Sequence, residues 1–211
     1  MDMSNFKVML ELCNKQNVPS YTELILGLPE ETFDSWRSGI CEIIEAGQHN
    51  SIDVWLHQIL TNAEMNAPEN HAKYSLQTVT TTKYLGGLET DEDVGETATL
   101  VRATNTMPFN DYISSYMFAW CVINFHTYGW TQLFSRFLRS YQNISYLTFY
   151  DALYDYLSKP TRSYIHAQFV KTRDVITTFL ETGSVDGTNI HSAIGKNILG
   201  DVQQRLHENR E

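Results

Sequence analysis

The chain has 211 residues, 42% of them apolar and 19% charged, enough apolar content to bury a core and too much for a disordered tail. Its net charge of −10 and pI near 5.1 argue against a nucleic-acid backbone or an anionic membrane as partner. No apolar run approaches the roughly 18 residues of a spanning helix, and Met1-Asp2-Met3 does not open a signal peptide, so a cytoplasmic protein is expected.

In chain order, Ser4 caps a predicted helix whose apolar positions Phe6, Val8, Met9, Leu12 and Cys13 recur at helical spacing. Val18-Pro19 ends it. Residues 20–28 then read as a strand, because Leu24, Ile25, Leu26 and Leu28 form the near-continuous apolar run of a strand buried on both faces. Gly27 and Pro29 break the run. A second helix starts at Thr32 and reaches about Ala46, with Phe33, Trp36, Ile40, Ile43 and Ile44 on one face and Gly47 as its stop. After Gln48-His49-Asn50, residues 51–59 form a second strand with Ile52, Val54 and Leu56 inward. A strand, helix and strand at this separation make a right-handed parallel crossover.

The pattern then changes. Residues 66–74 read as a loop or a short helix. The threonine-rich segment 76–84 and the segment 97–104 are extended, joined as a β-hairpin across a mobile turn that holds Gly86-Gly87 and the acidic residues Glu89 to Glu96. From Asn110 onward the sequence is helical, beginning with the stripe Ile113, Tyr116, Met117, Trp120 and Ile123. Further helices are predicted over 130–141, 145–160, 162–181 and, more weakly, 190–209. The fold class is therefore α/β, with a β/α part over residues 1–106 and an all-helical part over 107–211.

The turn Leu26-Gly27-Leu28-Pro29 is the best candidate for a ligand contact. Glycine lacks a Cβ, so a flat ring can lie against the main chain at the end of the strand; an ordinary tight turn uses the same residues. His57 and Gln58 lie near the carboxyl end of the second strand, where polar side chains reach a ligand, although a lone histidine also serves structure. His126 is a functional candidate or a helix-end histidine interacting with the dipole. The acidic cluster from Glu89 to Glu96 lacks the D-x-D-x-D-G loop of a calcium site and reads as solvated. Cys13, Cys41 and Cys121, separated by 28 and 80 positions, match no zinc or iron–sulfur spacing, so no metal site is expected.

Residues 21–32 read Y-T-E-L-I-L-G-L-P-E-E-T. This resembles the E-L-I-x-G-L-P-G-E-T strand of radical S-adenosylmethionine (SAM) enzymes that carry a cobalamin-binding domain, with Glu30 in place of the usual glycine. Gly47-Gln48-His49-Asn50, followed by a strand ending in Thr61-Asn62-Ala63-Glu64, resembles the G-Q-H-N turn and L-P-N-A-E ending of the same group. V-R-A-T-N-T-M at 101–107 is similar to V-V-x-T-x-S-M, and F-H-T-Y-G at 125–129 to F-H-x-x-G. The likeness runs from about residue 4 to 137.

The resemblance implies the C-terminal portion of a radical-SAM-like (β/α) partial barrel followed by a mostly α-helical domain. It places Glu23, Ile25, Gly27, Leu28 and Pro29 on the adenosine side of SAM, with His57 and Gln58 toward substrate. In that family a [4Fe–4S] cluster on C-x-x-x-C-x-x-C cleaves SAM to a 5′-deoxyadenosyl radical, or works with cobalamin in methyl transfer. This sequence lacks that motif, so cluster and cobalamin are expected only in a longer parent protein, and the chain alone is expected to be catalytically incomplete. The alternatives are a non-catalytic α/β-plus-helical binding or assembly module, and a helical adaptor built on the aromatic bundle after Asn110. A barrel piece with two parallel strands exposes a sheet edge and an apolar face, which predicts self-association as a homodimer.

Overall fold

The computed structural model describes residues 3–81 and 97–184. The acidic turn between the two hairpin strands and the helix expected over 190–209 lie outside the described residues.

Alternation of side chains builds the first layer. β1 (Tyr21–Leu26) and β2 (Ser51–Leu56) pair in parallel from Tyr21↔Ser51 to Leu26↔Leu56. Leu26, Ile52 and Leu56 are buried, while Tyr21, Glu23, Ile25 and Asp53 are exposed. The expectation of a strand buried on both faces is therefore corrected. One face packs on helices, and no described element covers the other.

The crossover helix α2 (Phe33–Glu45) follows Thr32, whose hydroxyl accepts from the Ser35 amide while the Ser35 hydroxyl accepts from the Thr32 amide. This reciprocal cap satisfies two of the donors that a helix start leaves open. Trp36, Ile40, Ile43 and Ile44 of α2 are buried. Before β1, α1 (Met3–Lys15) fully buries only Leu10, and Val8, Met9 and Leu12 of its predicted apolar face are exposed.

The second strand was expected to run unbroken over 51–59. It divides at His57 into β2 and β3 (Gln58–Ile59). The His57 amide donates to the Leu26 carbonyl (3.0 Å), and the His57 carbonyl accepts from Val101 (2.9 Å). One residue thus ends the parallel ladder and begins an antiparallel one. After a 3₁₀ turn and α3 (Pro68–Tyr74), which settles the loop-or-helix alternative, come β4 (Gln77–Thr81) and β5 (Ala98–Ala103). The antiparallel order is β3-β5-β4. Among the described residues β1, α2 and β2 form the one parallel β–α–β unit.

Helices form the rest: α4 (Phe109–Val122), a π-helical turn (Ile123–Thr127), α5 (Gln132–Gln142), α6 (Tyr146–Ser158) and α7 (Tyr164–Thr182). α4 is buried almost all round, from Tyr112 to Val122, because β1, α2, α6 and α7 surround it. One cluster of buried side chains joins Leu26 and Ile40 to Leu100, Phe118 and Ile176, so the core crosses the boundary expected near residue 106. Among the described residues no helix is long and apolar enough to cross a membrane.

Candidate functional site

β1 stops because Gly27 takes φ +93°, a backbone conformation glycine adopts without strain. A Cβ here would lie 2.5 Å from the Tyr112 ring. A flat ring does lie against this main chain, and it belongs to the protein itself. The Tyr112 hydroxyl donates to the Leu26 carbonyl (3.1 Å) in a buried hydrogen bond. Gly27 is buried under that ring, whereas Ile25 and Leu28 beside it are exposed and Pro29 half-buried.

His57 reaches the same turn from β2. Its Nδ1 lies 3.0 Å from the Gly27 carbonyl oxygen. A carbonyl only accepts, so the neutral ring carries its proton on Nδ1 and presents Nε2 as an acceptor. Gln58, the next residue, is half-buried and pairs with Leu100 across the antiparallel ladder. From the other side the Glu31 carboxyl group comes near the Gly27 amide, and its Oε2 is buried without a hydrogen-bond partner. Burial pushes the Glu31 carboxyl up to about 7, against a smaller lowering by that amide. Glu31 and His57 thus flank Gly27 from two sides at the carboxyl ends of the parallel strands, where ligands of such sheets bind.

The fold separates Glu23 from this group. It sits mid-strand on the open face, opposite Asp53 in the parallel register. Glu31 and Tyr112 were not foreseen as parts of this turn. Glu31 fell within the resembled motif but looked like a helix start, and Tyr112 lies 85 positions beyond Gly27 with no local signal to link them.

At the opposite, amino end of β2, two other motifs meet. His49 Nδ1 and His126 Nε2 lie 3.0 Å apart, His126 Nδ1 is 2.7 Å from the Tyr150 hydroxyl, and Ser135 Oγ is 3.3 Å from that hydroxyl. The Gln132 amide nitrogen donates to the carbonyls of His49 and His126. Burial lowers His49 to about 4 and His126 to about 3, with the nearby Arg136 charge acting in the same direction. His126 is therefore neutral and fully buried, not a cation at a helix dipole. Beside them, buried Gln48 donates to Thr22 Oγ1 (2.7 Å) and accepts from Ser20 and the Asn50 amide. The whole Gly-Gln-His-Asn turn thereby ties β1, β2 and the π-helical turn together.

The cysteines do not fit an iron–sulfur cluster. Cys41 and Cys121 are buried, Cys13 is half-buried, and burial raises the Cys41 and Cys121 thiols well above the usual range, away from the thiolate that binds metal. Among the described residues no three histidine, cysteine or carboxylate side chains are grouped to hold a metal.

No protein-family model matches the chain. It is 33% identical over 188 residues to the cobalamin-dependent radical SAM methyltransferase TokK of Streptomyces tokunonensis, a match covering 89% of this chain and 28% of that protein. It is 31% identical over 188 residues to the 2-(S-pantetheinyl)-carbapenam-3-carboxylate methyltransferase of Streptantibioticus cattleyicolor, with the same shares. The chain is homologous to one part of cobalamin-dependent radical SAM methyltransferases. It spans a little over a quarter of the length of these relatives.

Proposed function

We propose that the chain is a C-terminal portion of a cobalamin-dependent radical SAM methyltransferase, forming part of the barrel wall on the adenosine and substrate side and the helical layer behind it. The partial match to methyltransferase relatives carries this proposal. The position of Ile25, Leu28, Pro29, His57 and Gln58 at or near the carboxyl ends of two parallel strands supports it. In that enzyme the cluster and cobalamin supply the radical and methyl-transfer chemistry and are held by other parts of the protein. The residues here bind and orient. Ile25 and Leu28 offer apolar surface to a ring, Glu23 offers a carboxylate on the same strand, and His57 Nε2 offers a fixed acceptor. Gly27 and Tyr112 act behind them by fixing the course of the turn.

The test is nuclear magnetic resonance of the labelled chain titrated with S-adenosylhomocysteine. Shifts at Ile25, Leu28 and His57 that Ile25→Asp abolishes are the expected result. An unperturbed rim would sink the proposal and favour the non-catalytic binding or assembly module.

A further inference from the structure

The open face of β1 and β2 continues below the rim. The alternation that turns Ile52, Val54 and Leu56 toward the helices turns Asp53 and Trp55 the other way, as it does Glu23 and Ile25 on β1. The parallel register sets these four side chains in two rows, Glu23 beside Asp53 and, nearer the rim, Ile25 beside Trp55. The rows lie two residues apart, about 7 Å along the strands. The same two strands then end at the turn where His57 meets Gly27.

Both rows are costly as they stand. Ile25 and Trp55 are 46% and 36% exposed, so an aliphatic side chain and an indole leave apolar area uncovered side by side. Glu23 and Asp53 are like charges directly opposite each other, which destabilises a sheet. Neither strand contains a lysine or arginine. Among the described residues no cation forms an ion pair with either carboxylate. Asp53 accepts a long hydrogen bond, 3.5 Å, from the Ser51 hydroxyl, which leaves the charge in place. One kind of partner relieves both rows. A cation between two carboxylates removes their repulsion, and the π face of an indole attracts a cation. A metal ion would take oxygen ligands and gain nothing from Ile25. An organic cation, whose charge is wrapped in methyl or methylene groups, covers the apolar row while its charge meets the acidic one.

We infer that Asp53 and Trp55, together with Glu23 and Ile25, form a subsite for an organic cation, a sulfonium or an alkylated ammonium group, below the rim. Asp53 and Trp55 then determine specificity by reading the charge of what the rim holds. The inference rests on the proposal that this face is the ligand side, and it adds the chemical class of the group bound there. That class has two sources, the sulfonium of the methyl donor and an ammonium group of the methyl acceptor.

Nuclear magnetic resonance of the full labelled chain tests it, with choline as the cation and dimethylbutanol, its uncharged counterpart of the same shape, as the control. Choline is expected to shift the Trp55 indole and Ile25 methyl signals and to bind roughly tenfold more tightly than the alcohol. Asp53→Asn keeps the shape and removes one charge. It is expected to weaken choline roughly fivefold and leave the alcohol unchanged, while Trp55→Leu weakens both. The amide spectrum of each variant shows that it is folded. Equal binding of the two probes, no shift at Trp55, or unchanged choline affinity in a folded Asp53→Asn variant would each overturn the subsite. None of these measurements uses S-adenosylhomocysteine, so a silent rim and a silent subsite are separate results. Once choline binds as expected, SAM is compared with S-adenosylhomocysteine, its neutral thioether. A preference for SAM that Asp53→Asn removes assigns the subsite to the methyl donor, and no preference assigns it to the acceptor.

Discussion

At the carboxyl ends of β1 and β2, His57 is half-buried, bonded through Nδ1 to one backbone carbonyl, with Glu31 on the other side of the same turn. At the amino end of β2, His49 and His126 are bonded to each other and, through His126, to Tyr150. The residue types are similar and the physics differs. The amino-end network turns its polar atoms inward onto protein partners, so its histidines are held neutral and serve cohesion. The rim leaves one imidazole nitrogen and two apolar side chains toward the open side, with a carboxyl oxygen buried but unpartnered. A histidine in a motif therefore says little until its second nitrogen is accounted for.

Removing the glycine at the rim breaks this contrast most severely. Gly27→Ala forces a Cβ into positive φ and against the Tyr112 ring, and is expected to destabilise the fold by about 3 kcal/mol, combining backbone strain with overpacking. Urea unfolding measures it; a loss under about 1 kcal/mol would mean that the turn relaxes easily and is not held by Tyr112.

The next effect is titration of the amino-end pair. His49 and His126 have folded values near 4 and 3, below the ordinary histidine value of 6.5. The unfolded chain therefore binds more protons as pH falls below 6.5. Stability is fully present above that pH and declines toward pH 4 and below, by on the order of 2–3 kcal/mol for the pair after allowance for partial exposure. His126→Gln is expected to flatten that slope, and urea midpoints across this range that do not move in the wild type would refute it.

The smallest effect has the opposite sign and sharpens the comparison. Glu31 is raised to about 7 from 4.5, so its folded form binds protons more tightly than its unfolded form. Its penalty is absent below pH 4.5 and grows as pH rises to 7, reaching about 1 kcal/mol once solvent screening of a partly exposed group is allowed for. Glu31→Gln should raise the urea midpoint above pH 7 and leave it unchanged near pH 4; equal shifts at both would assign the effect to packing instead of charge.

Much of the local structure was legible in the sequence. The Thr32 cap and the stop at Gly47 are punctuation written in single residues whose backbone or side-chain chemistry acts within a few positions. A near-continuous apolar run located β1, alternation located β2, and threonine-rich character located β4. The resemblance to the relatives was also carried by short motifs, above all residues 21–32. What could not be read locally were the partners. A run of four apolar residues looked like a strand buried on both faces, but burial depends on what a fold lays over each face, and nothing described lies over Ile25. The division of the second strand at His57 depends on Leu26 and Val101, which approach from either side.

The sequence by itself determined the α/β class, the crossover unit, most helix limits and the likeness to radical SAM enzymes, because periodicity, capping and motifs are local or inherited in short stretches. Only the tertiary structure decided that the ring over Gly27 is Tyr112, that Glu31 and His57 meet at Gly27, and that the G-Q-H-N and F-H-x-x-G motifs meet through His49 and His126. It also turned Leu133, Phe137 and Tyr141 of α5 outward. Each of these rests on contacts between residues tens of positions apart, or on the choice of which face is covered. Those contacts are fixed when helices and strands compete for one core, a competition that no single stretch of sequence records.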